Sequence, residues 1–191
     1  MINKNSTASK DKNHFKLTGF TSILIGGYFI ISGYILETIL KGFLIDDNPM
    51  GMLSAEIIEI VAIIIIFLVF LFSSLALFFS GKRNAKKQNN QLWNSLTKKA
   101  TKTYLILVFL IFAILIFLMS FGKIDSITPI FLTLYAILLF VLKHKKRKNI
   151  VVLSGLSILL AIMCFLIPTY WASSLSILGI AHVAYGIAVR E

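Results

Sequence analysis

His182 is the side chain best suited by type and surroundings to do chemistry in this sequence. It lies within an apolar stretch, on the Gly179–Gly186 face and one helical turn before Tyr185. About 20 Å of helix separate it from the turn at Pro168, which places it in the inner half of a bilayer. Ionisable groups inside membrane helices face a bundle interior or a wet cavity. A histidine there could sense pH or relay a proton. The competing role is structural, a neutral imidazole hydrogen-bonded to a neighbouring helix. No other histidine falls in an apolar stretch and there is no HExxH, so the pattern offers no metal centre.

The carboxylates form a second set: Glu37, Asp46, Asp47, Glu56 and Glu59. Glu56 and Glu59 are one turn apart and share a helix face. Together the five make an acidic outer rim, with Lys41 in reach of a local ion pair. Three readings compete. The acids favour the positive end of a helix or pair with Lys41; they gather cations at a permeation mouth; or they are paired catalytic carboxylates. The last lacks an accompanying nucleophile or metal ligand. The single cysteine, Cys164, is embedded in an apolar run and permits no intramolecular disulfide. GxSxG, Walker and dinucleotide-binding fingerprints are absent. The chain therefore reads as a protein without catalytic residues, metal ligands or a cofactor.

Glycines set the next constraint. Gly19, Gly26 and Gly33 recur every seven residues, as do Gly179 and Gly186, with Ser22 and Ser176 beside them. Seven residues are close to two helical turns, so each set forms a smooth stripe. Small residues let helix backbones approach closely in lipid. Tightly packed faces on the first and last helices are expected, against each other or against neighbours; a substrate channel is the alternative.

The elements that carry these residues are apolar. The composition is 58% hydrophobic with a mean hydropathy of +0.88, beyond an ordinary soluble domain. Apolar stretches run over 17–43, 57–79, 104–121, 128–142, 150–167 and 169–189. Most reach the roughly 20 residues that cross about 30 Å of hydrocarbon; the fourth is the shortest. Period-two alternation is missing, which argues against a barrel. The expected fold is an all-α integral membrane protein of six transmembrane helices, arranged as three antiparallel hairpins over about 17–80, 103–142 and 150–189. Residues 1–16 form a basic tail before a single domain, 17–191. The first span is long and lacks an Ala-x-Ala site, so it reads as retained rather than cleaved.

Charge gives orientation. Of 19 Lys and Arg, 17 lie in the tail, in 81–102, in 143–149 or at Arg190. The opposite loops carry Lys123 with Asp46, Asp47 and Asp125. Both termini are expected in the cytoplasm, in a multi-pass plasma-membrane protein. The net charge of +11 then reflects topology, and nucleic-acid binding is not implied. Loop 81–102 reads either as an interfacial amphipathic helix, with Leu92, Leu96 and Ala100 in helical spacing beside Trp93, or as a solvated loop. Its lysines suit anionic headgroups, so membrane lipids are the expected partners. A homo-oligomer or a membrane-protein partner stays open.

Pro49, Pro129 and Pro168 each fall at or just after an outer turn, one per hairpin. Leu17-Thr18-Gly19-Phe20-Thr21 parallels Leu153-Ser154-Gly155-Leu156-Ser157. The two observations suggest three degenerate two-helix repeats, against chance similarity of apolar helices. Residues 153–187, with an early Gly155, a turn at Pro168 and the spaced Gly179 and Gly186, give the chain a resemblance to the HdeD-type short-repeat membrane proteins of bacteria. Residues 17–33 share the pattern; the second hairpin matches poorly, and the first departs at Asp46-Asp47-Asn48-Pro49. The resemblance implies six spans in helical hairpins and a non-enzymatic role in envelope or acid stress, with no catalytic residues to carry over. The alternatives are a transporter component, or substrate-binding subunit, for a small solute or cation, and an immunity-type membrane protein.

Overall fold

The computed structural model describes residues 17, 19–44, 55–87, 93–142 and 149–189. Six α-helices account for nearly all of them: α1 (Gly19–Leu44), α2 (Ala55–Lys87), α3 (Ser95–Ser120), α4 (Ile124–Val141), α5 (Asn149–Leu166) and α6 (Trp171–Ala188), with a 3-10 turn at Pro168–Tyr170. No strand occurs among the described residues. Helices are the expected solution for chains this apolar, because each satisfies its own backbone groups without water. Four segments are long and apolar enough to cross a membrane: Gly19–Ile39, Ile60–Lys86, Ser95–Ser120 and Pro168–Ala188. Asp125–Val141 and Ile150–Leu166 are shorter apolar helices.

Neighbours around the bundle follow chain order, and α6 closes back onto α1. The most extensive contacts are α1 with α6 and α4 with α5. Both seams therefore run between the hairpins expected from sequence rather than within them. α4 is central: Ile127, Phe131, Leu132, Tyr135, Ala136, Leu138 and Leu139 are all buried. Aromatic rings fill the middle. Phe29 of α1, Phe70 of α2, Phe112 of α3 and Phe131 and Tyr135 of α4 meet with centroids 5.2–6.4 Å apart. Such tilted, edge-on and stacked pairs add to the area they bury. The outer faces are apolar too, with Phe109, Val152 and Phe165 each about three-quarters exposed. On a water-soluble domain so much exposed apolar surface would drive association.

Three boundaries differ from those expected. Residues 81–102 are mostly helix, not a loop: α2 continues to Lys87 and α3 starts at Ser95. The physical reason is that Lys, Arg and Ala favour helix, and extending an existing helix avoids a new nucleation cost. Leu96 and Ala100 thus belong to the first turns of α3 rather than to a separate interfacial helix, while Leu92 lies outside the described residues. Asn94 caps α3, its side-chain oxygen accepting from the Thr97 N–H at 2.8 Å. The fourth helix begins at Ile124 and has 18 residues, so Pro129 sits inside it rather than at its start. The turn before it is short because Gly122 takes φ +62°, donating to Met119 O while Lys123 donates to Leu118 O. Pro168, by contrast, opens the 3-10 turn before α6.

Candidate functional site

The α1–α6 seam is built by glycine. A Cβ placed on Gly26 would lie 2.5 Å from Gly179 O, and one on Gly179 would lie 2.7 Å from Gly26 O. A Cβ on Gly186 would lie 2.5 Å from Gly19 O, and one on Gly33 would lie 2.9 Å from Ala172 O. The helices run antiparallel, and each step of seven along α1 matches a step of seven back along α6. Ala172 completes the stripe on α6 that Gly179 and Gly186 begin. Gly27, one residue from Gly26, faces open space.

This close approach carries His182 into the centre of the bundle, fully buried. Its Nδ1 lies 3.2 Å from Ser22 Oγ, and its Nε2 lies 2.8 Å from Tyr135 OH. Ser22 has one hydroxyl proton, and it goes to His182 O at 2.8 Å. The imidazole must then donate from Nδ1 to Ser22 Oγ and accept at Nε2 from the Tyr135 hydroxyl. That arrangement uses a neutral ring with both nitrogens engaged. Phe29 stacks on it with centroids 5.8 Å apart and planes 18° from parallel. The junction ties α1, α4 and α6 together through one side chain.

The geometry bears on chemistry directly. A serine nucleophile needs its hydroxyl proton directed at the base, whereas Ser22 directs its proton to a backbone carbonyl. Cys164 is buried and donates to Ser174 Oγ at 2.9 Å, joining α5 to α6. Tyr185 shares the His182 face and is buried, but its hydroxyl meets no hydrogen-bond partner among the described residues. Among those residues no three His, Cys, Asp or Glu side chains gather as metal ligands.

The acidic rim is only partly visible. Glu37 pairs with Lys41 at 2.8 Å, both exposed to a large degree. The hydrogen bond and the charge of Glu37 raise the Lys41 pKa above its ordinary value. Asp46 and Asp47 lie outside the described residues; Glu56 and Glu59 fall in the first turns of α2, their side chains outside them too. The basic tail, residues 143–148 and Arg190 also lie outside.

The partner of His182 that sequence reasoning missed is Tyr135, 47 residues away on α4. The sequence held only a partial signal: Tyr135 is the only tyrosine between Lys123 and Lys143, and a buried tyrosine hydroxyl usually finds a partner, but nothing in the sequence says which. A second tyrosine follows the same rule. Tyr104 OH lies 2.9 Å from Ser74 Oγ, whose own proton goes to Phe70 O. No protein-family model matches the chain, and no curated protein or solved structure matches it significantly.

Proposed function

We propose that this is a non-enzymatic, polytopic membrane protein whose six helices all cross the bilayer. In this reading α4 and α5 span as well, each about 27 Å long, with slight local thinning or tilt of neighbours absorbing the difference. Both termini face the cytoplasm of a bacterial plasma membrane, as the lysines of 81–102 and 143–149 favour. Its role is in envelope or acid stress, in line with the HdeD-type resemblance of 153–187.

The observation that carries the non-enzymatic reading is the saturation of His182. A general base must lie within reach of a substrate proton, whereas His182 is fully buried, its ring nitrogens meet only Ser22 and Tyr135 among the described residues, and the Ser22 proton is directed to a backbone carbonyl. The test is reconstitution into liposomes, followed by proton, cation and solute flux and a ligand-stabilisation screen, for the parent and His182→Ala. The expected result is no flux and no ligand-dependent stabilisation from pH 5 to 8. Flux in the parent that His182→Ala abolishes would instead establish the transport reading. Topology is tested separately in a Cys164→Ser background. Single cysteines at Asn90 and Lys123 should react with a membrane-impermeant maleimide from the cytoplasmic and the outer side respectively; the reverse overturns the orientation, and labelling of both from one side overturns the crossing of α3.

A further inference from the structure

A groove of about 770 Å³ runs between the first half of α1 and the last half of α2. Phe20, Ile23, Leu24, Leu75, Ala76 and Phe79 give it apolar walls. Its polar lining is concentrated at one end, where Ser80, Arg83 and Asn84 follow the last apolar turn of α2. The Tyr28 and Phe72 rings, 5.7 Å apart, close the other end. From Phe72 to Arg83 is about 16 Å of helix, roughly half the 30 Å hydrocarbon thickness, or one leaflet. Arg83 is exposed and makes no ion pair among the described residues, and no carboxylate lines the groove.

We propose that this groove holds one acyl chain of an anionic membrane phospholipid, with Arg83 and Asn84 on its phosphate. The proposal rests on the membrane-embedded reading and adds a defined site to it. The charge pattern selects this occupant. A guanidinium offers a planar fork of donors that phosphate oxygens fit in pairs. The apolar walls below it match a hydrocarbon chain and offer nothing to a soluble anion. The start of α1, which also lines the polar end through Gly19, Phe20 and Thr21, adds the positive end of a helix. Lys82 and Lys86, exposed on the neighbouring turn, reinforce the sign.

The experiment uses the full chain in mild detergent, stripped of lipid and titrated with phosphatidylglycerol or phosphatidylcholine, with retention read by native mass spectrometry. The parent should prefer phosphatidylglycerol. Arg83→Gln, an exposed change that spares the fold, should weaken phosphatidylglycerol about tenfold, the size of one charge-assisted hydrogen bond. Lys98→Gln, equally exposed but outside the groove, should leave it unchanged. Ala76→Phe, which fills the groove, should reduce both lipids. Equal binding of the two lipids by the parent, or equal losses in Arg83→Gln and Lys98→Gln, would overturn the site in favour of diffuse attraction. Alkaline extraction of native membranes separates the two levels. A parent that stays in the pellet yet shows no lipid preference removes the groove alone. A parent released into the supernatant removes the membrane reading and the groove with it.

Discussion

At the α1–α6 seam, glycines let two backbones meet; at the α4–α5 seam, serines reach from one helix to the carbonyls of the other. Gly19, Gly26 and Gly33 face Gly186, Gly179 and Ala172. Ser154 donates to Ala136 O and Ser157 to Leu132 O, each at 2.8 Å. Lipid removes the hydrophobic drive for helices to associate, leaving close packing and hydrogen bonds to do it. The first seam uses the former and is intolerant of volume. The second uses the latter, yet each carbonyl it engages already lies in a helical ladder, so losing the serine strands no acceptor. The same local pattern has different uses in the two places. Gly19 is packed on α6, whereas Gly155, its counterpart in the five-residue parallel, is exposed with nothing near it.

The largest expected effect follows from volume at the glycine seam. Gly26→Leu or Gly179→Leu forces the two backbones apart, because the clashing atoms include a main-chain oxygen and a main-chain nitrogen at each site, which cannot swing aside. Overpacking costs about 1–3 kcal/mol in ordinary cores, and a rigid backbone contact belongs at the upper end. For a chain of this size ~3 kcal/mol is roughly a 6–12 °C fall in melting temperature. Gly27→Leu, beside it but facing open space, should melt like the parent. Equal behaviour of Gly26→Leu and Gly27→Leu in detergent would remove the seam from the account.

Next comes the junction that the glycine seam encloses. Tyr135→Phe keeps the ring in the aromatic centre and deletes only the hydroxyl, leaving His182 Nε2 buried without a donor. An orphaned buried acceptor costs about 1–3 kcal/mol, so roughly 1 kcal/mol is expected in a membrane bundle. His182→Ala should cost more, since it also empties the space stacked on Phe29. The double variant should then cost less than the two single changes added together. Strict additivity of the two changes would mean that the pair does not act as one unit. At the serine seam, Ser154→Ala and Ser157→Ala should each cost about 0.6 kcal/mol or less, the average for hydrogen bonds between membrane helices.

Much of this architecture was legible because it is local. A seven-residue glycine period is visible in sequence, and so is an apolar helix, since both depend on neighbours along one chain. The α1–α6 register was legible in part, through glycines on both helices, although Ala172 was hidden by being an ordinary residue in an apolar run. Tyr135 was not legible as the partner of His182, because no periodicity links residues on different helices. Tyr185 drew attention instead, being one turn away, yet adjacency on one face does not aim a hydroxyl at a ring. Helix ends were misjudged where charge was taken as the end of a span. Lys82–Lys87 and Lys98–Lys102 leave the apolar stretch but continue the helix, whose hydrogen bonds do not depend on lipid.

The smallest effect should come from the exposed pair at the far end of α1, which sets the baseline for both seams. Glu37→Gln removes the partner of Lys41 at a site open to solvent, where ion pairs contribute little. The sign of any pH effect is nevertheless fixed. The Lys41 pKa is raised in the folded protein above its ordinary 10.5, so its contribution is fully present below that pH and is lost only as pH rises through the folded value. Between pH 6 and 9 that contribution is constant, so the gap between the parent and Glu37→Gln should be small, because the pair is exposed, and should not vary with pH. A clear gap at neutral pH that salt closes would show the acidic rim to be a coupled charge network. That outcome would move structural weight from the two seams toward the end of the bundle where Glu56 and Glu59 begin α2.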